Sequence, residues 1–145
     1  KDRVTAIDNC EEELEEAPDC CSKQLMDAAE LLFPDDSFDN VTFFYTLMYM
    51  TTEEQQKSIR EAARVLKAGK WMHIWDCDIR SAYPEPFVID LDVKSGPLKI
   101  HTAYGIVKRD AQSSDSIVHL LESAGLRIES LQEKDGQFHI QCRKE

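Results

Sequence analysis

Hydrophobic positions in this chain recur with two periods, one typical of β-strands and one of α-helices. Short apolar runs rich in β-branched and aromatic residues predict strands. These runs are residues 4–8, 22–26, 41–46, 71–75 and 126–129. Residues 4–8 are predicted to be buried, and residues 41–46 to be buried on both faces. An acidic helix over residues 9–17, ended by Pro18, separates the first two strands.

Two longer helices have clear start and stop signals. The first opens with a predicted capping box from Thr52 to Gln55, and Gly69 is predicted to end it in the left-handed conformation. The second begins at Ser113 and ends at Gly125. The apolar positions at helical spacing are Ile59, Ala62, Ala63 and Leu66 in the first helix, and Ile117, Leu120, Leu121 and Ala124 in the second.

Alternating apolar and polar residues predict two antiparallel hairpins. Residues 87–93 and 100–106 alternate on either side of a turn at residues 95–97. Near the end of the chain, Asp135 and Gly136 are a hairpin turn signal. The strand that follows alternates through Phe138, Ile140 and Cys142. The order of elements predicts an α/β fold with a mostly parallel sheet and a C-terminal antiparallel hairpin.

Composition limits the classes of partner. A length of 145 residues suits one domain, residues 1–145. The formal net charge of −11 disfavours a nucleic-acid partner, which would need clustered Lys and Arg. No apolar run approaches the roughly 18 residues of a membrane-spanning helix, so no membrane contact is expected.

The cysteines indicate a reducing compartment. Their number, five, is odd, and no CxxC repeat of the zinc-binding kind is present. The adjacent Cys20 and Cys21 are poorly placed to bind one ion, so no metal site is expected. We therefore expect a cytoplasmic protein.

Two segments about thirty residues apart carry a family resemblance. Residues 32–41 read LFPDDSFDNV, and residues 61–70 read EAARVLKAGK. In this order and spacing they resemble the middle of a class I S-adenosylmethionine-dependent methyltransferase of the broad type 11 kind. The family usually has Pro-Gly-Gly where Ala68, Gly69 and Lys70 stand.

The resemblance implies a Rossmann-like methyltransferase sheet that begins at its second strand. The family's first strand and its glycine loop are absent from this chain, because none of its five glycines forms a GxGxG-type turn. Since that strand lies at the centre of the family's sheet, three outcomes stay open. The first is a longer protein of which this chain is a truncated part, as the start at Lys1 suggests. The second is a swapped homodimer of two copies, and the third is direct pairing of strand two with strand four.

Candidate cofactor residues follow from the resemblance. In the family, a carboxylate ending the second strand binds the ribose hydroxyls, and Asp8 holds that position. Asp27 and Ala28 match the residues that bind adenine. The alternatives are that Asp8 only caps the following helix and that Asp27 only closes a turn.

The edge where the strands end is the expected ligand crevice. Thr46, Leu47 and Tyr49 follow the fourth family strand and are expected to line the S-adenosylmethionine pocket. The candidates for a catalytic base are Asp76, Asp78, His101 and Tyr104. Residues 79–112, a β-hairpin inserted after strand five, are expected to cover the substrate.

The sequence therefore predicts methyl transfer to a small-molecule acceptor by in-line displacement, with little demand on catalytic side chains. The 145-residue chain alone is expected to bind S-adenosylmethionine weakly or not at all. A non-catalytic binding or assembly module on the same fold is the main alternative. A nicotinamide-dependent reductase is a third, disfavoured by the C-terminal hairpin because dehydrogenase sheets usually continue in parallel.

Overall fold

The computed structural model describes residues 3–19, 21–80 and 83–145. The strands are β1 (Thr5–Asp8), β2 (Ser22–Leu25), β3 (Phe38–Phe44), β4 (Leu66–Cys77), β5 (Phe87–Ser95), β6 (Leu98–Ile106), β7 (Leu126–Lys134) and β8 (Gln137–Lys144). The helices are α1 (Glu11–Glu16), α2 (Thr52–Val65) and α3 (Ser114–Ser123), with a 3₁₀ turn at Leu47–Tyr49. The elements predicted from the sequence are all present. Lys1, Cys20 and positions 81–82 of the predicted insertion lie outside the described residues.

The main sheet has four strands in the order β3-β4-β8-β7. β3 runs parallel to β4, and β8 runs antiparallel to both β4 and β7. In the turn between β7 and β8, Asp135 and Gly136 have φ values of 53° and 75°. Positive φ at both central residues is the requirement of the tight hairpin turns that match strand twist. The predicted α/β sheet with a C-terminal antiparallel hairpin is confirmed.

β1 and β2 form a separate parallel pair, in which Asp8 lies opposite Leu25. Among the described residues, no β pairing joins β1 to β3. Of the three outcomes considered for the missing central strand, direct pairing of strand two with strand four is therefore not the one found. The sheet divides where the family places its first strand.

α2 and α3 cover one face of the four-stranded sheet. Their apolar faces and the inward residues of the strands form one buried cluster, because helices at this spacing bury one stripe and strands bury alternate residues. The cluster comprises Phe43, Leu47, Ile59, Ala62, Ala63, Leu66, Met72, Ile74, Ile117, Leu121, Leu126, Phe138, Ile140 and Cys142. The core positions predicted for the first long helix are all among them.

The two ends of α2 differ from the prediction. The N-terminal cap is Thr51, one residue earlier, and its hydroxyl accepts from the Glu54 amide at 3.3 Å while the Glu54 carboxylate accepts from the Thr51 amide at 2.7 Å. The charged carboxylate of Glu54, at the third helical position, stabilises the cap at Thr51. The helix ends at Val65, and Gly69, with φ of 71°, lies inside β4 instead of ending the helix. The chain passes straight from helix to strand.

The opposite face of the sheet is partly open, so the prediction that residues 41–46 are buried on both faces is wrong. Phe44 is 48% exposed and Thr42 is also exposed. Strand β1, predicted to be buried, is only half-buried. The reason is that α2 and α3 cover only the other face of β3, and β1 has only β2 as a strand partner among the described residues.

Histidines and a tryptophan share this partly open face. The Trp75 ring stacks on His139 at a centroid distance of 4.1 Å, and His73 Nδ1 lies 3.3 Å from His139 Nε2. His73 is half-buried and has this histidine partner. Burial lowers the pKa of both imidazoles, so the neutral rings can share one hydrogen bond.

The predicted hairpin is present as β5 and β6, which pair in antiparallel register. Ile89 lies opposite Tyr104, and Leu91 lies opposite Thr102. The apolar face of the hairpin packs against the end of β4 and against residues 45–50, the segment after β3. This second buried cluster comprises Tyr45, Met48, Cys77, Ile79, Ile89, Leu91 and Ile106. The hairpin therefore lies over the carboxyl ends of β3 and β4.

Candidate functional site

Asp8 lies at the carboxyl end of β1, with one carboxylate oxygen engaged locally. Its Oδ1 accepts from the amide of Cys10, the N-cap residue of α1, at 2.9 Å. Among the described residues, no donor is assigned to Oδ2. The residue is half-buried, so Oδ2 can accept from a ligand hydroxyl at the edge of the sheet. The capping interpretation and the ribose interpretation are both compatible with this geometry, because they use different oxygens.

Asp27 lies just beyond the end of β2, at the same edge as Asp8. The parallel register ends β1 and β2 together, with Asp8 opposite Leu25. Asp27 is exposed, its Oδ1 accepts from the Ala29 amide at 2.8 Å, and Ala28 is half-buried. The hydrogen bond to Ala29 supports the turn interpretation of Asp27. Among the described residues, no donor is assigned to the second carboxylate oxygen of Asp27. The two predicted nucleoside-binding carboxylates share one edge.

The segment after β3 makes a sharp turn at Tyr45. This residue has φ of 49°, in the left-handed region that bulky side chains rarely adopt. Its amide donates to the Trp75 carbonyl at 2.8 Å, and its phenol donates to Gln137 Oε1 at 2.6 Å. Burial raises the pKa of Tyr45 to about 12, so the phenol stays a donor at neutral pH. Strain of this kind persists only when surrounding contacts hold it.

After this turn, the side chains of Thr46, Leu47 and Tyr49 differ in how far they are exposed. Leu47 is fully buried in the main core, so only its backbone can face a ligand. Thr46 is half-buried and donates from its hydroxyl to the Phe44 carbonyl at 3.2 Å. Tyr49 is 56% exposed and presents its ring at the edge. Of the three, Tyr49 is the side chain that reaches outward.

Tyr49 contacts the hairpin through Tyr104. The ring centroids are 6.4 Å apart and the rings are nearly perpendicular, at 85°. Burial raises the pKa of the Tyr49 phenol, and the neighbouring Tyr104 and the carboxylate of Glu13 raise it further. Glu13 belongs to the acidic first turn of α1. Aromatic faces and negative charge thus meet where the crevice was predicted.

Asp76 is fully buried at the end of β4. Its Oδ1 accepts from Gln112 Nε2 at 2.7 Å and from the Cys77 amide at 2.9 Å, and its Oδ2 accepts from the Met48 amide at 3.3 Å. Burial raises the pKa of Asp76 to about 6, against the lowering effect of these donors. The carboxylate therefore binds the segment after β3 instead of lining open space.

The other predicted base candidates lie in different places. Asp78 is half-buried, and its Oδ1 accepts from the Ser114 amide in the first turn of α3 at 3.0 Å. His101 lies on the outer face of the hairpin, where Nδ1 is 3.0 Å from an Asp92 oxygen. Tyr104 lies on the inner face, against Tyr49. The structure brings Tyr104 and Asp76 near the segment after β3 and leaves His101 outside.

Buried amide side chains that were not predicted from the sequence surround Asp76. Gln55 in the first turn of α2 and Gln112 before α3 are both buried, and Gln55 Nε2 donates to Gln112 Oε1 at 2.6 Å. Lys108 is also buried and donates to Gln112 Oε1 at 3.4 Å. The available signal was a polar residue on the apolar face of α2, since Gln55 lies four positions before Ile59.

The methyltransferase domain family matches residues 2–74. The match covers half of the chain, and the chain belongs to this family, whose members of class I use S-adenosylmethionine. The predicted family and cofactor are confirmed. Both segments that carried the resemblance lie within the matched residues. No curated protein matches the chain.

Solved structures share the fold at low sequence identity. A Pyrococcus horikoshii protein has a TM-score of 0.72 and 15% identity, and the alignment covers 99% of this chain and 74% of that one. A Clostridium acetobutylicum S-adenosylmethionine-dependent methyltransferase has a TM-score of 0.69 and 15% identity, with 99% and 75% covered. The glycopeptide N-methyltransferase MtfA, in complex with S-adenosylhomocysteine, has a TM-score of 0.63 and 13% identity, with 99% and 74% covered. The fold is that of class I methyltransferases.

The described residues fit the nucleoside part of S-adenosylmethionine. Vicinal ribose hydroxyls are donors, and Asp8 presents a carboxylate oxygen that no described residue occupies. Asp27 adds a second acceptor at the same edge.

No helix of the described residues is long and apolar enough to span a membrane.

Proposed function

We propose that this protein transfers a methyl group to a small, neutral or cationic acceptor bound between the segment after β3 and the β5–β6 hairpin. The contact between Tyr49 and Tyr104 carries the proposal, because it joins a strand-end residue to the inserted hairpin at 6.4 Å. Residues 79–112 then act as the cover of the acceptor site. Residues 1–145 belong to one methyltransferase domain, and the protein works in the cytoplasm.

Asp8 and Asp27 hold the nucleoside. Asp8 Oδ2 accepts from the ribose hydroxyls while Oδ1 keeps its bond to the Cys10 amide. Asp27 accepts from the adenine amino group, and the adjacent Ala28 amide donates to the ring. When bound, S-adenosylmethionine supplies an electrophilic methyl group on a positively charged sulfur.

Aromatic side chains suit a cationic ligand. Positive charge is attracted to the face of a tyrosine or tryptophan ring. Tyr49, Tyr104 and the half-buried Trp75 lie near the ends of β3 and β4. The Thr46 and Leu47 backbone lines the same edge. The formal net charge of −11 further favours a neutral or cationic acceptor over an anionic one.

Positioning, rather than proton transfer, supplies the catalysis. Of the four candidate bases, Asp76 and Asp78 bind backbone amides and His101 faces away on the hairpin. Holding two reactants in line can remove about 7–11 kcal/mol of the barrier. An acceptor atom that already has an available lone pair therefore fits this site best, and Tyr104 orients it.

Replacing Asp8 by asparagine tests the cofactor role separately from the capping role. In Asp8→Asn the side-chain oxygen can still accept from Cys10, but the amide nitrogen cannot accept from ribose. We expect at least tenfold weaker binding of S-adenosylhomocysteine, measured by an NMR titration that detects millimolar as well as micromolar affinity. Glu122→Gln, an exposed carboxylate on α3, is the matched control and leaves the affinity unchanged.

A non-catalytic binding or assembly module is the second candidate. It is favoured by the use of Asp76 and Asp78 as backbone acceptors. Under this candidate, Asp8→Asn and the unmodified protein give the same titration. That result would refute the enzymatic proposal.

A further inference from the structure

Gln112 lies at the centre of a buried hydrogen-bond network. Its Nε2 donates to Asp76 Oδ1 at 2.7 Å and to the Cys77 carbonyl at 2.8 Å. Its Oε1 accepts from Gln55 Nε2 at 2.6 Å and from Lys108 Nζ at 3.4 Å. One side chain therefore joins β4, the first turn of α2 and the segment after β6.

The same network binds the segment after β3 at three backbone positions. Gln55 Nε2 donates to the Leu47 carbonyl at 2.9 Å. Asp76 Oδ2 accepts from the Met48 amide at 3.3 Å, and Lys108 Nζ donates to the Met50 carbonyl. These contacts bracket the 3₁₀ turn Leu47–Tyr49, which presents Tyr49 at the crevice.

Backbone bonds hold Gln112 itself in place. Its amide donates to the Ile79 carbonyl at 3.0 Å, and its carbonyl accepts from the Ile79 amide at 2.8 Å. Ile79 follows β4 and Gln112 follows β6, so this bridge closes the base of the inserted hairpin. Any displacement of the hairpin base therefore moves the side chain that holds the network.

The side chains of the network are buried. Gln55, Asp76, Lys108 and Gln112 are each at most 9% exposed. Among the described residues, the one buried side-chain polar atom without a partner is the hydroxyl of Ser58, which is not part of it. A satisfied buried network rigidifies the elements it joins, whereas a partly satisfied one destabilises them.

We propose that Gln112 is a positioning residue that sets the 3₁₀ turn and the base of the hairpin as one unit. Glutamine suits this place because it donates to a carboxylate and accepts from an amide and an ammonium at once. Leucine can do neither, and an ionised glutamate cannot donate. The functional part of this inference rests on the proposed function, in which the residues of this turn line the ligand crevice, but its structural part does not.

Amide hydrogen exchange of the ligand-free protein tests the structural part. In Gln112→Leu we expect the protection of residues 46–50 to fall at least tenfold more than that of residues 117–121, in the core of α3. Gln132→Leu, an exposed glutamine on β7, is the control and changes neither segment. If protection falls equally in both segments of Gln112→Leu, the residue is merely structural and the proposal is overturned.

A second variant covers the case in which Gln112→Leu does not fold. Gln55→Met removes the bonds to Leu47 and Gln112 but leaves the Asp76 contacts of Gln112 intact. It should loosen residues 46–50 selectively, by a smaller factor. Unchanged protection there would also overturn the proposal.

Ligand binding tests the functional part. In variants that keep their fold, we expect the Kd of S-adenosylhomocysteine to rise at least fivefold, since the turn that lines the pocket has lost its support. Selective loosening with an unchanged Kd would overturn the functional part alone. The failure of Asp8→Asn to weaken binding would instead count against the proposed function, so the two failures are distinguishable.

Discussion

The guanidinium of Arg64, near the end of α2, donates to the backbone carbonyl of Phe33 at 2.8 Å. It also donates to the Leu31 carbonyl at 2.9 Å and to the Asp35 carboxylate at 2.7 Å. Glu61, one turn earlier, accepts from the same guanidinium and from the Leu31 amide at 2.9 Å. The two segments that identified the family are therefore parts of one contact.

Arg64→Ala should destabilise the protein, because it removes charge-assisted bonds to two backbone carbonyls and to the Asp35 carboxylate. Arg64→Lys should recover only part of this loss, since an ammonium cannot reproduce the planar fork. Urea unfolding provides the measurement. Arg60→Ala, exposed on the same helix, should stay within about 0.5 kcal/mol of the unmodified protein. Equal effects at positions 60 and 64 would contradict the role assigned to Arg64.

Asp76 predicts a pH dependence of stability. Its pKa is raised to about 6 in the fold from the usual 3.8, so the native state binds more protons than the unfolded state between these values. Stability from this group is therefore full below pH 3.8 and is lost as pH rises through about 6. The loss should be at most about 3 kcal/mol. The free energy of unfolding of Asp76→Asn, compared at several pH values, should lack this decline; parallel curves would contradict the assignment.

Tyr45→Phe should lower stability by about 1 kcal/mol, because it removes the phenol bond to Gln137 and leaves this half-buried acceptor without its partner. The protein has four tyrosines, and the pKa of Tyr45 is raised to about 12. Titration of phenolate absorbance should therefore lose its most alkaline step in the variant. A spectrum whose late step survives the substitution would show that another tyrosine is responsible.

Asp78 should tolerate asparagine but not alanine. Asp78→Ala removes the acceptor for the Ser114 amide at the start of α3 and should cost about 1–2 kcal/mol. Asp78→Asn keeps an oxygen for that bond and should cost less than half as much. Thermal unfolding separates the two variants. If asparagine were as damaging as alanine, the negative charge rather than the hydrogen bond would be the stabilising feature.

The sequence predicted the elements well because their signals are local. The Asp135-Gly136 turn and the alternation through Ile89 and Leu91 depend on neighbouring residues only. Burial of Phe44 was predicted wrongly because it depends on what covers a distant face. The capping box moved to Thr51 because two adjacent threonines offer the same hydroxyl, and only the placement of Glu54 selects between them.

The candidate site was predictable only in part. Asp8 and Asp27 could be placed at one edge because parallel strands end together. The environment of Asp76 could not be predicted, since its partner Gln112 lies 36 positions away and reaches it only through the fold of the hairpin. Long-range polar contacts leave no periodic trace in a sequence.

The break between the β1–β2 pair and the four-stranded sheet leaves the distance between these two units unset by strand pairing among the described residues. Asp8 and Tyr49 belong to different hydrogen-bonded units, and no β pairing of the described residues fixes how far apart they lie. A polypeptide strand paired with the open edges of both β1 and β3 would set the offset between the two units, in steps of roughly 3.3 Å per residue. A slip of one step would turn its side chains to the opposite face. Affinity for a ligand that touches both units would then depend on whether that strand is paired in the correct register.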